Sequence, residues 1–398
     1  MLITAGRVLT DASSGTYVPD GAVLIDGDTI VAAGPRLQVE AQARHGEERV
    51  AYPDATLLPG LIDAHVHLLF DASPDPKAVL EHDDDKLLDD MQGRAETLLR
   101  SGVTTVRDLG DRNGLTLRLA DAIGSGSAIG ARIVSAATPL TPVGGHCWFL
   151  GGEVSGASEI RRLIERNVAS GAQVIKVMAT GGGLTKDGPA SWEPQFTPEE
   201  LAVVVAEAHQ AGLPVAAHAH GVDGIAAAAD AGVDTIEHCT WMTPDRNFEL
   251  REDVLAQIVS KGIYVCPTIT PKWKMLPQVF SAERFETISS NVKRMADVGA
   301  RLIAGTDAGV QRAQFGGLAA SLEFYERLEL PAGYIIDMAT GQAAQALGLG
   351  KEIGRLAAGY RADLLVVDGD PLKDLGALQR LKTVFAGGDQ YAPENSAC

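Results

Sequence analysis

From about residue 57 onward, short apolar runs of strand length alternate with Ala- and Leu-rich segments whose apolar residues return every three or four positions. That alternation is the pattern of repeated βα units feeding a parallel sheet. Eight runs fit strands: 57–64, 103–107, 133–137, 173–178, 213–217, 233–236, 263–267 and 301–304. Between them, segments such as Glu199 to Gln210 read as helices, here with Thr197 as N-cap and Gly212 as stop. Eight such units close a (β/α)₈ or TIM barrel. The two ends look different. Strand-like pieces at 2–9, 22–26, 29–33, 362–368 and 383–386 are separated by turn signals and no helical period. The economical arrangement is an α/β protein in which both termini build one small β-sandwich (1–56 and 350–398) beside a catalytic barrel (57–349). The tail 393–398 is expected to be disordered.

Composition narrows the class. The 398 residues are 45% hydrophobic, with no apolar run long enough to span a bilayer. A net charge of -18 and the lack of basic patches argue against nucleic acid. The N-terminus has no cationic start leading into an apolar stretch and cleavage site, so the cytoplasm is the expected location. Four scattered cysteines, Cys147, Cys239, Cys266 and Cys398, have neither metal-binding spacing nor the density of a disulfide scaffold and read as reduced thiols. The acidic run Glu81 to Asp85 reads as a solvated helix start or loop rather than a cation site. The expected partners are a small-molecule substrate and further copies of the chain, with neither nucleic acid nor membrane.

Chemistry enters at the strand ends, where a barrel of this kind places its catalytic groups. His65 and His67 close the first apolar run, and a period of two points both imidazoles to one side, where a pair can chelate a metal. The pair alone is weak evidence. At the fourth run, Lys176 lies inside Val174-Ile175-Lys176-Val177-Met178. A buried ammonium must pair, lose its proton or be modified. A neutral lysine amine can capture carbon dioxide, giving a carbamate whose two oxygens can bridge two ions; a lone strand-end lysine more often packs its stem and sends its head to solvent or a carboxylate. The fifth run ends in His218-Ala219-His220, the sixth in Glu237-His238, and the eighth leads into Asp307. Taken together, His65, His67, Lys176, His218, His238 and Asp307 match a two-metal site, with ions about 3.5–4 Å apart sharing a bridging hydroxide and polarising a scissile carbonyl. Nitrogen and oxygen donors without thiolate suit zinc, with manganese and cobalt open.

These residues carry a recognisable pattern: the chain resembles the amidohydrolase superfamily from Pro59-Gly60-Leu61-Ile62-Asp63-Ala64-His65-Val66-His67 to Gly359-Tyr360-Arg361-Ala362-Asp363-Leu364. Within it, Gly144-Gly145-His146, Lys176-Val177-Met178-Ala179-Thr180-Gly181-Gly182-Gly183, His218-Ala219-His220-Gly221 and Ile236-Glu237-His238 are similar to the prolidase-like and imidazolonepropionase-like branch. The resemblance implies that His65, His67 and Asp307 hold one metal, His218 and His238 the second, and carboxylated Lys176 both. It makes Asp307 the group that takes the proton of the attacking water and returns it to the leaving amine. It also implies that His146 faces substrate, in relatives the free carboxylate of a dipeptide, and that His220 either orients a ligand or touches substrate. The choice of His218 over His220 as ligand rests on the motif. Relatives that recognise a dipeptide carboxylate often carry a tyrosine after strand six. Here the stretch is His238-Cys239-Thr240-Trp241, and an indole is larger and a donor only, which points to a bulkier or non-peptide substrate lined by Trp241 and by Trp148 and Phe149.

The expected activity is hydrolysis of a small-molecule amide, a dipeptide or N-acyl amino acid first. The alternatives are a cyclic amide, arylurea or carbamate, and, in a different class, a catalytically silent metal-binding scaffold. A deaminase is disfavoured, because one-metal deaminases of the superfamily do not need the strand-four lysine.

Overall fold

The computed structural model describes residues 1–393; the expectation of a disordered tail falls, apart from Pro393, outside them. Both chain ends meet in one seven-stranded sheet, in the spatial order Asp389–Tyr391, Leu381–Ala386, Leu364–Asp368, Arg49–Pro59, Leu2–Val8, Val18–Asp26, Thr29–Pro35. Only Leu2–Val8 and Arg49–Pro59 run parallel; every other neighbouring pair is antiparallel. Ile3, Val23, Ile30, Leu57, Leu364, Val366 and Phe385 bury one face of this sheet in a core of its own. Strand pairing across some 300 residues of sequence is therefore backed by burial of β-branched and aromatic side chains.

Two larger parallel sheets, and a small two-stranded one of Thr141–Pro142 and Glu153–Val154, form the rest of the β-structure among the described residues. One of the larger sheets holds Leu61–Val66, Val103–Asp108 and Arg132–Ser135; the other holds Ile175–Met178, Val215–Gly221, Thr235–Met242, Tyr264–Cys266 and Arg301–Leu302, each in sequence order. Bridges Leu140–Val177 and Val66–Ala308 join these two sheets at both ends. The His67 amide donates to the Ala308 carbonyl at 2.7 Å and the Asp307 amide to the His65 carbonyl at 2.9 Å, so the first and last strands are tied at the residues that carry the chemistry.

The helices between them follow the pattern of their apolar positions. Asp84–Arg100 buries Leu87, Met91, Ala95, Leu98 and Leu99, one stripe at helical spacing, and Asp83 caps it by accepting from the Lys86 amide. The acidic run is thus a helix start, as read. Pro198–Gln210 begins with a full capping box between Thr197 and Glu200, and Gly212 follows it at φ +75°. Among the described residues, no helix is long and apolar enough to cross a membrane. Cys147, Cys239 and Cys266 are free and buried.

Three features differ from the sequence reading. The run 57–64 splits at Gly60: Arg49–Pro59 belongs to the terminal sheet, and Leu61–Val66 starts the parallel one. Gly60 permits this close crossing, because a Cβ there would strike the Thr104 side chain while its amide donates to the Asp363 carbonyl. The sixth parallel strand continues well past Ile236 to Met242, although His238 and Cys239 take left-handed φ values of +67° and +49°. A five-residue helix, Arg36–Glu40, and the 3₁₀ turn Leu375–Gln379 interrupt the terminal strands, both too short to show a helical period.

Candidate metal centre

At the C-terminal end of Leu61–Val66, His65 and His67 turn into the space that Asp307 enters from the last strand. Asp307 Oδ1 lies 3.4 Å from Nε2 of both histidines, too long for good hydrogen bonds. His65 Nδ1 donates to Glu237 Oε2 at 2.8 Å, so its Nε2 is left with the lone pair. That Nε2, and Nδ1 of His67, are buried with no hydrogen-bond partner among the described residues. An unpartnered buried imidazole nitrogen facing a carboxylate, as His65 Nε2 does, is what a cation would complete. One ligand atom from each of His65, His67 and Asp307 falls within 4.8 Å of the others.

A second group stands opposite. Ligand atoms of His218, His220 and His238 also lie within 4.8 Å of one another. His218 Nε2 donates to the Gly181 carbonyl at 3.0 Å, which leaves Nδ1 to bind. The Nδ1 atoms of His238 and His220 meet the hydroxyls of Thr268 at 2.8 Å and Thr240 at 3.1 Å, which leaves Nε2 of each. The two groups touch, since the His65 and His238 rings are 5.1 Å apart. Both His218 and His220 reach the cluster, and His220 stacks on His238 at 4.3 Å. Lys176, 1% exposed, shares the cavity with both groups.

The electrostatics suit cation binding. Burial pushes the imidazolium form out, bringing His65 and His220 down to about 4 and His146 to about 3, with His218 and His238 also well below the usual range. All five are neutral donors at neutral pH. Burial would raise the Asp307 carboxyl, but His65 and His67 outweigh it and hold it near 2, so a carboxylate faces them. Burial also lowers the Lys176 ammonium to about 8, against the opposing pull of Glu237 and Asp307.

Strand-end backbone is bent to aim these groups. His238, Thr268 and Asp307 have φ of +67°, +52° and +59°, conformations that cost non-glycine residues energy and persist where surrounding structure enforces them. His146 enters from the loop after the third strand, its ring 4.6 Å from that of His218 and lying over Gly182, where a Cβ would collide with it. The cavity, about 250 Å³, is lined by His67, His146, Cys147, Lys176, His218, His220, His238, Asp307, Val310 and Gln311, among others. That is a little below the ~300–1,000 Å³ of typical ligand sites.

Trp241 requires a correction. It is fully buried in the hydrophobic core and does not line this cavity. Its expected place beside substrate rested on the resemblance alone; here the strand end takes left-handed φ values at Cys239 and at Trp241 itself. Trp148 and Phe149 also stay off the cavity wall and instead flank the Lys77 ammonium, 5.2 and 5.5 Å from their ring centres. Sequence reasoning missed Glu237 and Arg107, both buried charged residues in apolar strands. The signal that singled out Lys176 applied equally to them.

The amidohydrolase family's sequence profile matches residues 56–391. Ochratoxinase of Aspergillus niger is 28% identical over 384 residues, covering 82% of this chain and 73% of that protein. Imidazolonepropionase of Paracoccus denitrificans is 26% identical and covers 92% and 93% of the two chains. Among solved structures, a Xaa-Pro dipeptidase with methionine bound in its active site superposes with a TM-score of 0.87 at 29% identity, over 98% of this chain and 99% of the other. With histidines, lysine and aspartate gathered at the ends of parallel strands, and a profile that runs from the first of those strands almost to the last described residue, the chain belongs to the amidohydrolase family, whose members are hydrolases.

Proposed function

We propose that this protein is a two-metal amide hydrolase acting on a small molecule, a dipeptide or N-acyl amino acid first. The two larger parallel sheets are then halves of one closed (β/α)₈ barrel from the Gly60 junction to residue 349, and the terminal sheet is its β-sandwich companion. The observation that carries the reading is the pair of three-residue ligand groups meeting across one buried cavity that also holds Lys176. The residues fit the metal they imply: neutral imidazoles with free lone pairs, an ionised carboxylate, and buried nitrogens without partners. His65, His67 and Asp307 would hold one ion and His218 and His238 the other, with Lys176, as a carbamate, reaching both. Zinc is the expected metal. When bound, the metals polarise the scissile carbonyl and make water nucleophilic at neutral pH.

The chain's own groups do the rest. Asp307 accepts the proton of the attacking water at a carboxylate oxygen and returns it to the leaving nitrogen. The His146 ring, against His218 and open to the cavity, orients the substrate's far end. His220 keeps His238 in place by stacking on it. The similarity to a Xaa-Pro dipeptidase supports a peptide-type C–N bond as the target.

The test is a panel of Xaa-Pro and other dipeptides, N-acyl amino acids, cyclic amides and arylureas, offered to protein prepared with zinc and bicarbonate, with amine release as the readout. Turnover of dipeptides or N-acyl amino acids is the expected result. Turnover of ureas or cyclic amides alone would replace the substrate class, and metal uptake without any turnover would favour the silent scaffold.

A further inference from the structure

Beneath the metal-facing histidines lies a second layer of buried charge that the hydrolytic reading does not use. Arg107, from Val103–Asp108, and Glu237, from Thr235–Met242, are 1% and 0% exposed. The guanidinium makes three separate contacts: Nε donates to the Ala64 carbonyl at 2.7 Å, Nη1 to Thr235 Oγ1 at 3.0 Å, and Nη2 to Glu237 Oε1 at 2.8 Å. Thr235 also donates its hydroxyl to Glu237 Oε1. Glu237 Oε2 is thereby left for one task, to accept from His65 Nδ1.

We propose that Arg107 and Glu237 are positioning residues for His65: Glu237 fixes the imidazole as the tautomer protonated at Nδ1 and aims Nε2 at the cavity, while Arg107 fixes Glu237. The inference rests on the reading of His65 as a metal ligand.

Four observations converge on it. Arg107 grips the carbonyl of Ala64, the residue before His65, so one guanidinium sets both the backbone and, through Glu237, the ring. The His65 amide is separately held by Asp63 Oδ1 at 3.3 Å, and Asp63 is anchored to the Thr306 amide and hydroxyl beside Asp307. The nitrogen Glu237 leaves free, Nε2, is one of the buried polar atoms with no partner, and it faces Asp307. Finally, ligand-type atoms of His65, Glu237 and Cys266 come within 4.8 Å of one another, which could suggest a third ion. Arg107 argues against it, since its guanidinium already occupies Glu237 and would stand beside any cation placed there. The inner group is scaffolding. A carboxylate behind a ligating histidine raises its basicity and restricts its rotation, and losing such a partner typically costs about 10–100-fold in metal affinity.

The test is zinc titration of the whole protein against a chromophoric chelator, resolving two affinities, on wild type, Glu237→Gln and Thr235→Val. Glu237→Gln can still accept from His65 but then turns an amide N–H₂ toward Arg107, so the clamp fails. The expected result is roughly 10–100-fold weaker binding at one site with the other unchanged. Thr235→Val, of nearly the same shape, should weaken that same site by a smaller factor, and it carries the test if the glutamine variant does not fold. An independent readout is the ¹⁵N–¹H spectrum of the imidazoles in metal-free wild type, where a slowly exchanging Nδ1–H for His65 is expected. Equal weakening of both sites, unchanged affinities in Thr235→Val and Glu237→Gln, or a His65 protonated at Nε2 would overturn the proposal. Wild type that binds no zinc would instead overturn the metal reading on which it rests.

Discussion

Carbamate formation at Lys176 needs the free amine, and the fold supplies it to a degree that can be worked out. Burial brings the ammonium from 10.5 to about 8. At pH 7 about one molecule in ten then carries a neutral amine, against about one in three thousand for an ordinary lysine. The sign is fixed: the folded value is lowered, so the reactive form grows as pH rises and saturates once pH passes about 8. The assay strips metal and carbon dioxide at mildly acidic pH, then restores zinc with dissolved carbon dioxide held constant. Metal uptake is followed from pH 6 to 9, and ¹³C-labelled bicarbonate reports the carbamate by NMR. The neutral fraction sets an expected rise in the initial rate of about tenfold from pH 6 to 7, about fivefold from 7 to 8, and only about twofold from 8 to 9. A rate that kept climbing tenfold per unit through pH 9 would mean that Lys176 behaves as a solvated ammonium. Uptake indifferent to carbon dioxide, with no labelled carbamate, would refute the modification itself.

Three further outcomes follow from the geometry. Asp307→Asn should lower amide turnover by about 10²–10⁴-fold while some metal stays bound, measured as kcat beside metal content; unchanged turnover would remove Asp307 as the proton carrier. Trp241→Phe, which deletes a buried indole N–H without a partner, should leave KM within about twofold, and a tenfold change would put Trp241 back on the substrate. Phe324→Ala removes a fully buried ring packed against Trp273, Phe285 and Tyr325. It should cost about 3–5 kcal/mol in denaturant unfolding, and a loss under 1 kcal/mol would mean that this cluster repacks.

What could be read from the chain followed from periodicity and from charge in apolar surroundings. The alternation of βα units located the eight strands of the two larger parallel sheets, because strands buried on both faces must be apolar runs whatever their neighbours, and it missed the two-residue pair Thr141–Pro142 and Glu153–Val154. His65, His67, Lys176, His218, His238 and Asp307 were legible as ligand-type residues because each sits in or just after such a run; in the structure all but His65 line one cavity, and His65 stands beside His67 and Asp307. Three things were not legible. Gly60 splits one apolar run between two sheets, and periodicity cannot see that break because the residues on both sides are equally apolar. Trp241 was placed by resemblance alone, and only the fold reveals that a strand end with left-handed residues at His238, Cys239 and Trp241 leaves its indole buried in the core. Arg107 and Glu237 come from strands separated by more than a hundred residues, and only the fold reveals that each is the other's partner.

The two-metal centre is best tested by zinc content per chain in wild type and His238→Ala, each prepared with zinc and bicarbonate and freed of loosely held metal. Two equivalents in wild type and one in the variant are the expected result. Wild type that holds none, or a variant that keeps both, would contradict it.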